Sequence, residues 1–277
     1  MTLKDKKISF IGGGNMAGAL ISGLLAKSIN PAHITVADPS KDIRASLSAK
    51  KVNCVDPTQD PHAAITSAEV IVLAVKPQVM AKVVADFADV LTDEQVVISV
   101  AAGLTCDSLS NMLNGHKTIV RAMPNTPAMI QMGATGLYAT DAVSDSQKQT
   151  CEALMRAVGL TIWVEDEDQL HAVTAVSGSA PAYFFYVMEA MIDTGEKLGL
   201  TRKDASALAL QTALGSAQLA ITSDDTPSEL RNKVTSPNGT TQAAIESLQS
   251  DDLASMFERA MQACVSRSEA ISQELAQ

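Results

Sequence analysis

The chain has 277 residues, of which 46% are hydrophobic, 19% charged and 3% aromatic, and its formal net charge is −10. This composition is typical of a globular protein long enough for two domains, not of a disordered chain. An acidic surface repels phosphate backbones, and no apolar run has the length of a membrane-spanning helix or of a signal peptide. We therefore expect a protein that binds neither nucleic acid nor membranes.

The cysteines and histidines are scattered, without the paired spacing of a disulfide framework or a zinc site. They are Cys54, Cys106, Cys151, Cys264, His33, His62, His116 and His171. We expect reduced thiols that act as small hydrophobic side chains, a cytoplasmic location and no bound metal.

The first 165 residues alternate short apolar runs with helix-like stretches. Strands are predicted at Lys7–Ile11, Ile34–Ala37, Val70–Val75, Val96–Val100, Thr118–Ala122, Leu137–Ala139 and Thr161–Val164, and a helix at Met16–Lys27. The uninterrupted run Val70–Val75 is typical of a strand buried on both faces. Strands separated by helices predict an α/β fold with a doubly wound parallel sheet and right-handed crossovers.

The strand signals stop near Glu165, where the acidic run 165–168 is typical of a helix N-terminus. Capping motifs then begin at Thr201, before a helix that reaches about Ile221, and at Thr226. We predict an α/β domain over residues 1–165 and an all-helical domain over residues 166–277. The helical half holds more apolar positions than a small isolated bundle needs, which indicates contact with another subunit.

The first strand runs directly into a G-x-G-x-x-A loop, whose residues are Gly12, Gly13, Gly14, Asn15, Met16 and Ala17. Gly12 permits a tight turn, Gly14 lets a pyrophosphate approach the backbone, and Ala17 lets the helix lie close to the strand. The helix N-terminus offers N–H groups to the anion. This pattern predicts a Rossmann-type dinucleotide-binding domain. The alternative is a simple strand-to-helix turn.

Asp38 ends the second strand, where an acidic residue usually binds the ribose 2′-hydroxyl of NAD. Ser40 and Lys41 follow and are suited to a 2′-phosphate, and Asp38 can also simply start a turn, so NADPH and NADH both stay open.

Two later strand ends complete the predicted cofactor site, because ligands of open α/β sheets bind outside the carboxyl ends of the strands. Their residues are Ala74, Val75, Lys76, Pro77, Ala101, Ala102 and Gly103. Lys76 is more typical of a structural or phosphate-side lysine than of a catalytic one.

Two motifs stand out in the helical half. Residues 176–183 are rich in Ser, Gly and Ala, and the simple interpretation is a helix break. Residues 234–241 combine turn signals with the start of a helix, near Thr240 or Thr241. Such an N-terminus suits a carboxylate, although an ordinary capped helix has the same pattern.

The chain resembles the pyrroline-5-carboxylate reductase family over essentially its whole length. The matching motifs are Phe10–Met16, Ala74–Pro77, Ala101–Gly103, Arg121–Pro127, Ser177–Tyr183 and a C-terminal signature at Pro227, Leu230, Val234, Ser236, Gly239, Thr241, Ala244, Ile245 and Leu248. Three positions depart from the family pattern. Asn238 and Ala180 stand where glycine is common, and Asp38 stands where NADP-preferring members often carry an uncharged polar residue.

The resemblance implies reduction of a cyclic imine, 1-pyrroline-5-carboxylate, to L-proline by NADPH, with NADH as the second possibility. It implies that Thr241 binds the imine nitrogen, that Gly239, Thr240 and Thr241 bind the carboxylate, that Ser177, Gly178 and Ser179 shape the pocket, and that Asn125 lies near the nicotinamide. Ser177 and Thr241 are the catalytic candidates. It also implies a substrate and dimerisation role for the helical domain, in homodimers that assemble into a larger ring.

Three alternatives stay open. A β-hydroxyacid dehydrogenase needs a lysine base in its helical domain, and no lysine lies between Ser177 and Lys197. A broader imine reductase shares the same domain order. A non-catalytic dinucleotide-binding protein would bind the cofactor without oxidising it.

Overall fold

A computed structural model describes residues 3–276 of the chain. It contains two compact units, one formed by Met1–Ser179 with Cys264–Gln277 and the other by Ala180–Ala263. The first unit thus extends past the predicted boundary at residue 165 and includes the last turns of the final helix. The division of the chain into functional domains at residues 1–165 and 166–277 stays a prediction.

The first unit is built on one eight-stranded sheet. Its strands are β1 Ile8–Ile11, β2 Ile34–Ala37, β3 Asn53–Val55, β4 Val70–Leu73, β5 Val96–Ser99, β6 Ile119–Met123, β7 Gly133–Ala139 and β8 Gly159–Trp163. The strand order is β3-β2-β1-β4-β5-β6-β7-β8, and every pair except β6–β7 is parallel. The doubly wound α/β fold is confirmed, and its strand order reverses between β1 and β4.

Two details of the predicted sheet are wrong. β7 runs antiparallel to β6, with Val120 opposite Ala139. The connection over residues 124–132 contains only a 3₁₀ segment, Thr126–Ile130, and is too short for the crossover that a parallel return needs. The three-residue strand β3 was not predicted because Asn53 interrupts its apolar pattern.

Helices cover both faces of this sheet. They are α1 Asn15–Ala26, α2 Lys41–Ser48, α3 Pro77–Ala85, α4 Cys106–Met112, α5 Asp145–Met155 and α6 Gln169–Val173, which continues into a π-helical turn, Thr174–Gly178. Successive residues of β4 belong to two separate apolar clusters, Val70 and Val72 to one, Ile71 and Leu73 to the other. A strand buried on both faces is therefore confirmed at this position.

The second unit is all-helical, as predicted. Its helices are α7 Ala180–Lys197, α8 Arg202–Thr222, α9 Pro227–Lys233 and α10 Thr240–Ser250, together with the first turns of α11 Leu253–Leu275. The Thr226 hydroxyl and the Glu229 side chain form the predicted capping box at the start of α9. None of the helices in residues 3–276 is both long and apolar enough to cross a membrane.

Large apolar side chains remain exposed on α7 and α8. They include Phe184, Phe185, Tyr186, Leu208, Leu214 and Leu219, of which Tyr186 is 74% exposed. An apolar surface of this kind is normally covered by another protein surface.

Candidate active site

The glycine loop follows β1 at the point where three strand ends meet. The N–H of Gly12 donates to the carbonyl oxygen of Ala37 at the end of β2, at 2.8 Å. Gly12 has φ +96°, and a Cβ at this position would lie 2.9 Å from the carbonyl oxygen of Ala74, which follows β4. Both the backbone conformation and the space therefore require glycine here.

The N-terminus of α1 is open to a ligand. Gly14 is its N-cap, and no side chain in the described part of the chain caps the helix. The first intrahelical bond runs from Gly18 N–H to the Gly14 carbonyl, so the N–H groups of Asn15, Met16 and Ala17 precede the hydrogen-bond ladder. A Cβ on Gly14 would meet no described atom within 4 Å beyond its own helix and chain neighbours. This open N-terminus fits the diphosphate of a dinucleotide.

Asp38 lies beside this loop with its carboxylate held in place. One carboxylate oxygen accepts the N–H of Gly13 at 2.8 Å, and the other accepts the N–H of Ser40 at 2.8 Å. The residue is 7% exposed. Asp38 therefore starts the turn into α2 and also places a carboxylate next to the glycine loop, and its binding of the cofactor ribose stays a prediction.

Arg44 and Asp56 adjoin this site and were not singled out from the sequence. The Arg44 guanidinium donates to the backbone carbonyl of Asp38 at 2.7 Å and pairs with the Asp56 carboxylate at 2.8 Å. Hydrogen bonds from Thr58 hold the pKa of Asp56 below its usual value, and Arg44 lowers it further. Asp56 is therefore ionised at neutral pH.

The two later loops lie at the same edge of the sheet, because Leu73 of β4 is in register with Ser99 of β5. Lys76 is the exposed N-cap residue of α3. Gly103 has φ +85°, and a Cβ there would lie 2.6 Å from the Ile271 side chain. The end of α11 thus packs directly on the Ala101–Gly103 loop.

Asn125 joins two of the predicted motifs. Its side-chain amide donates to the carbonyl oxygen of Ser177 at 3.1 Å and accepts the N–H of Ala134 at 2.9 Å. Ser177 lies in the π-helical turn, and its hydroxyl donates to the Val173 carbonyl at 3.0 Å, which leaves its oxygen free to act as an acceptor. The chain around Ser177 therefore remains helical with a π-bulge and is not broken, and such bulges are frequent at functional sites.

A partly buried ion pair lies in the same unit. The Glu167 carboxylate accepts Arg121 at 2.7 Å and the N–H of Cys106, the first residue of α4, at 2.6 Å. A small cavity of only about 10 Å³ lies next to Arg121 and the Ala101–Gly103 loop. Sequence reasoning did not predict this pair because its members are 46 residues apart.

The second unit holds the remaining predicted residues at the start of α10. Gly239 is the N-cap, and no side-chain cap is present among the described residues. Asn238 adopts φ +58°, which confirms that it can replace glycine at this turn. The N–H groups of Thr240 and Thr241 precede the first intrahelical bond, which fits a carboxylate ligand.

In residues 3–276, no group of three or more His, Cys, Asp or Glu side chains is arranged to hold a metal ion.

Comparisons with known proteins cover both parts of the chain. Residues 167–271 match a family model described as pyrroline-5-carboxylate reductase dimerisation. Residues 7–103 match one described as NADP oxidoreductase, coenzyme F420-dependent. The pyrroline-5-carboxylate reductase of Pseudomonas aeruginosa is 48% identical over 275 residues, which are 99% of this chain and 100% of that protein.

Solved structures agree with this result. A pyrroline-5-carboxylate reductase from Coxiella burnetii has a TM-score of 0.92 at 43% identity, covering 96% of this chain and 98% of that one. The pyrroline carboxylate reductase of Plasmodium falciparum, solved with NADP bound, has a TM-score of 0.85 at 27% identity, covering 98% and 100% of the two chains.

Proposed function

Because this chain belongs to the pyrroline-5-carboxylate reductase family, it reduces 1-pyrroline-5-carboxylate to proline with a nicotinamide cofactor, and we propose the following roles for its residues. The Gly12–Ala17 loop binds the cofactor diphosphate, and the start of α10 binds the substrate carboxylate. The observation that carries this assignment is that both helices begin without a side-chain cap in the described chain, so each offers unused N–H groups to an anion.

The bound nicotinamide supplies a hydride to the imine carbon. We expect the imine nitrogen of the substrate to gain its proton from water near neutral pH, so the protein mainly orients the substrate and excludes water. The Thr241 hydroxyl hydrogen-bonds the nitrogen. Ser177 adds an acceptor, since its own proton is donated to Val173. Gly178 and Ser179 shape the pocket wall beside it.

The remaining cofactor contacts follow the strand ends. We assign them to Asp38, Ser40, Ala74–Pro77, Ala101–Gly103 and Asn125. We propose NADPH as the main hydride donor and NADH as a second one. The fixed carboxylate of Asp38 suits a ribose hydroxyl, whereas Ser40 and the exposed Lys41 are suited to a 2′-phosphate.

The chain forms a homo-oligomer, which the matched dimerisation family and the exposed apolar residues of α7 and α8 both support. We propose a homodimer that assembles into a larger ring, and a light-scattering mass of more than two chains tests this. A cytoplasmic location is also proposed, and four unpaired thiols support it.

An absorbance assay of NADPH and NADH oxidation tests the activity. We expect oxidation that depends on 1-pyrroline-5-carboxylate and yields proline. Cofactor binding without oxidation would instead identify a dinucleotide-binding protein. Oxidation with other cyclic imines alone would identify a broader imine reductase, and oxidation of a β-hydroxyacid by NADP⁺ would identify the dehydrogenase alternative.

A further inference from the structure

Two aspartates contact one arginine at the β2 end of the predicted cofactor edge, Asp38 through its backbone carbonyl and Asp56 through its carboxylate. Ala37 of β2 is in register with Val55 of β3, and the N–H of Asp38 donates to the Val55 carbonyl. Asp38 and Asp56, the residues that follow these two adjacent strands, therefore lie side by side. Arg44 reaches back from α2 to the backbone of Asp38 and to the carboxylate of Asp56.

In Rossmann-type domains, residues near the end of the second strand distinguish NADPH from NADH. NADPH differs from NADH by a 2′-phosphate on the ribose next to the β2 end, and an arginine near that end commonly binds it. A guanidinium matches a phosphate well because it offers two parallel N–H groups. Arg44 lies at this end, since its guanidinium donates to the Asp38 carbonyl at 2.7 Å and contacts the Asp56 carboxylate at 2.8 Å.

Hydrogen bonds from Thr58 hold the Asp56 carboxylate in position to pair with Arg44. Asp56 receives the hydroxyl and the N–H of Thr58 on one carboxylate oxygen, at 2.7 Å and 3.1 Å, and Arg44 on the other. Arg44 and Asp56 side chains are each 19% exposed, so the pair is shielded from water but lies within reach of a ligand.

We propose that Asp56 sets the cofactor selectivity of this enzyme by holding Arg44 in an ion pair and so withholding it from the 2′-phosphate of NADPH. The proposal rests on the dinucleotide site assigned above. Asp56 is a selectivity residue that acts through Arg44. When the Arg44–Asp56 ion pair is broken, the guanidinium binds the 2′-phosphate of NADPH. The affinity for NADH, which has a hydroxyl at this position, increases little.

The test is Asp56→Asn, which keeps an oxygen for Thr58 and turns an N–H group towards Arg44. Dissociation constants for NADPH and NADH are measured by nucleotide fluorescence on the full chain without substrate, and kcat/KM is measured with each cofactor. We expect the NADPH-to-NADH affinity ratio to rise about ten- to a hundredfold, the scale of one charge-assisted hydrogen bond. The double variant Asp56→Asn/Arg44→Gln should lose this gain.

The control is Glu69→Gln, which removes an ion-paired carboxylate from Lys6 at the opposite end of the strands. It should leave the ratio unchanged. Asp56→Ser gives a second release of Arg44 and should move the ratio in the same direction as Asp56→Asn.

Three results would overturn the proposal. One is an unchanged ratio in both Asp56 variants, including an equal loss of affinity for both cofactors, which is the result expected of a purely structural pair. Another is a gain that persists without Arg44, since this would assign the effect to the Asp56 charge alone. The third is a gain in Glu69→Gln of the same size. Because binding is measured without turnover, a failure of the reductase assay would not be mistaken for a failure of this proposal.

Discussion

The side-chain amide of Asn125 donates a hydrogen bond to the carbonyl oxygen of Ser177 across 52 residues of sequence. The same amide accepts the N–H of Ala134 at the start of β7. One side chain thus connects the end of the sheet to the π-helical turn that carries a predicted catalytic hydroxyl. Asn125 was predicted to lie near the nicotinamide, and its contacts also suit a residue that positions Ser177.

Asn125→Ala should separate these two roles. If Asn125 positions Ser177, kcat/KM for the imine substrate falls about tenfold, while the dissociation constant of NADPH changes less than about twofold, because the loss of one buried hydrogen bond is of this size. Steady-state kinetics and a fluorescence titration of NADPH give the two numbers. A large rise in the NADPH dissociation constant would instead make Asn125 a cofactor ligand. Asn53→Ala, which removes a side-chain bond to the Ala32 carbonyl elsewhere in the unit, is the control.

Glu167→Gln should destabilise the first unit by about 1–3 kcal/mol. The change leaves the nearly buried guanidinium of Arg121 beside a neutral amide, and unpaired buried charges are costly. The loss is smaller than that of a fully buried pair because Glu167 is 23% exposed and water screens its charge. Thermal unfolding followed by circular dichroism measures the effect. The exposed pair of Lys6 and Glu69 provides the comparison, since Glu69→Gln should cost less than about 1 kcal/mol. Equal losses in the two variants would contradict a special role for Arg121.

Local signals in the sequence were enough to predict the Rossmann-type core. β1, the glycine loop and α1 follow one another within residues 8–26, so glycine spacing and apolar runs fix them together. The capping box at Thr226 and the helix start at Thr240 are equally local. Each of these features depends on residues only a few positions apart, which is why a single sequence reveals them.

Contacts between distant residues were not predictable in the same way. The Arg121–Glu167 pair and the Asn125–Ser177 bond form only when separate strands and turns come together. The antiparallel direction of β7 follows from the short connection over residues 124–132. The sequence of this connection did not indicate the direction of the strand that follows it. Ser177 was assigned from resemblance alone, and the π-helical turn that presents it was not expected from a run of small residues.

The stability of the chain should fall in mildly acidic solution because of His116. The residue is only 7% exposed, and burial lowers the pKa of its imidazole below the usual value. As the pH falls, His116 therefore binds a proton in the unfolded chain before it does so in the folded chain. Stability from this group is complete above the unfolded pKa of about 6.5 and decreases as the pH falls below it.

His116→Gln tests this pH dependence. Melting temperatures measured between about pH 7.5 and pH 5 should decrease less steeply in His116→Gln than in the parent chain. The substitution of the partly exposed His33 by Gln is the control and should keep the parent slope. If the melting temperature of His116→Gln decreases with pH as steeply as that of the parent chain, other groups cause the acid sensitivity.

Thr241→Val should lower kcat/KM for 1-pyrroline-5-carboxylate by about 10²-fold, the lower end of the range for a group that handles a proton. In the proposed mechanism the substrate imine already carries its proton, so the Thr241 hydroxyl orients the nitrogen and need not donate a proton to it. Valine keeps the shape of threonine and leaves the backbone N–H groups of α10 in place, and substrate binding through the carboxylate should therefore survive. Thr240→Val is the matched control, because it removes the neighbouring hydroxyl from the same helical turn. An unchanged kcat/KM in Thr241→Val, or an equal loss in Thr240→Val, would remove the Thr241 hydroxyl from the mechanism and leave the first turn of α10 with a carboxylate-binding role alone.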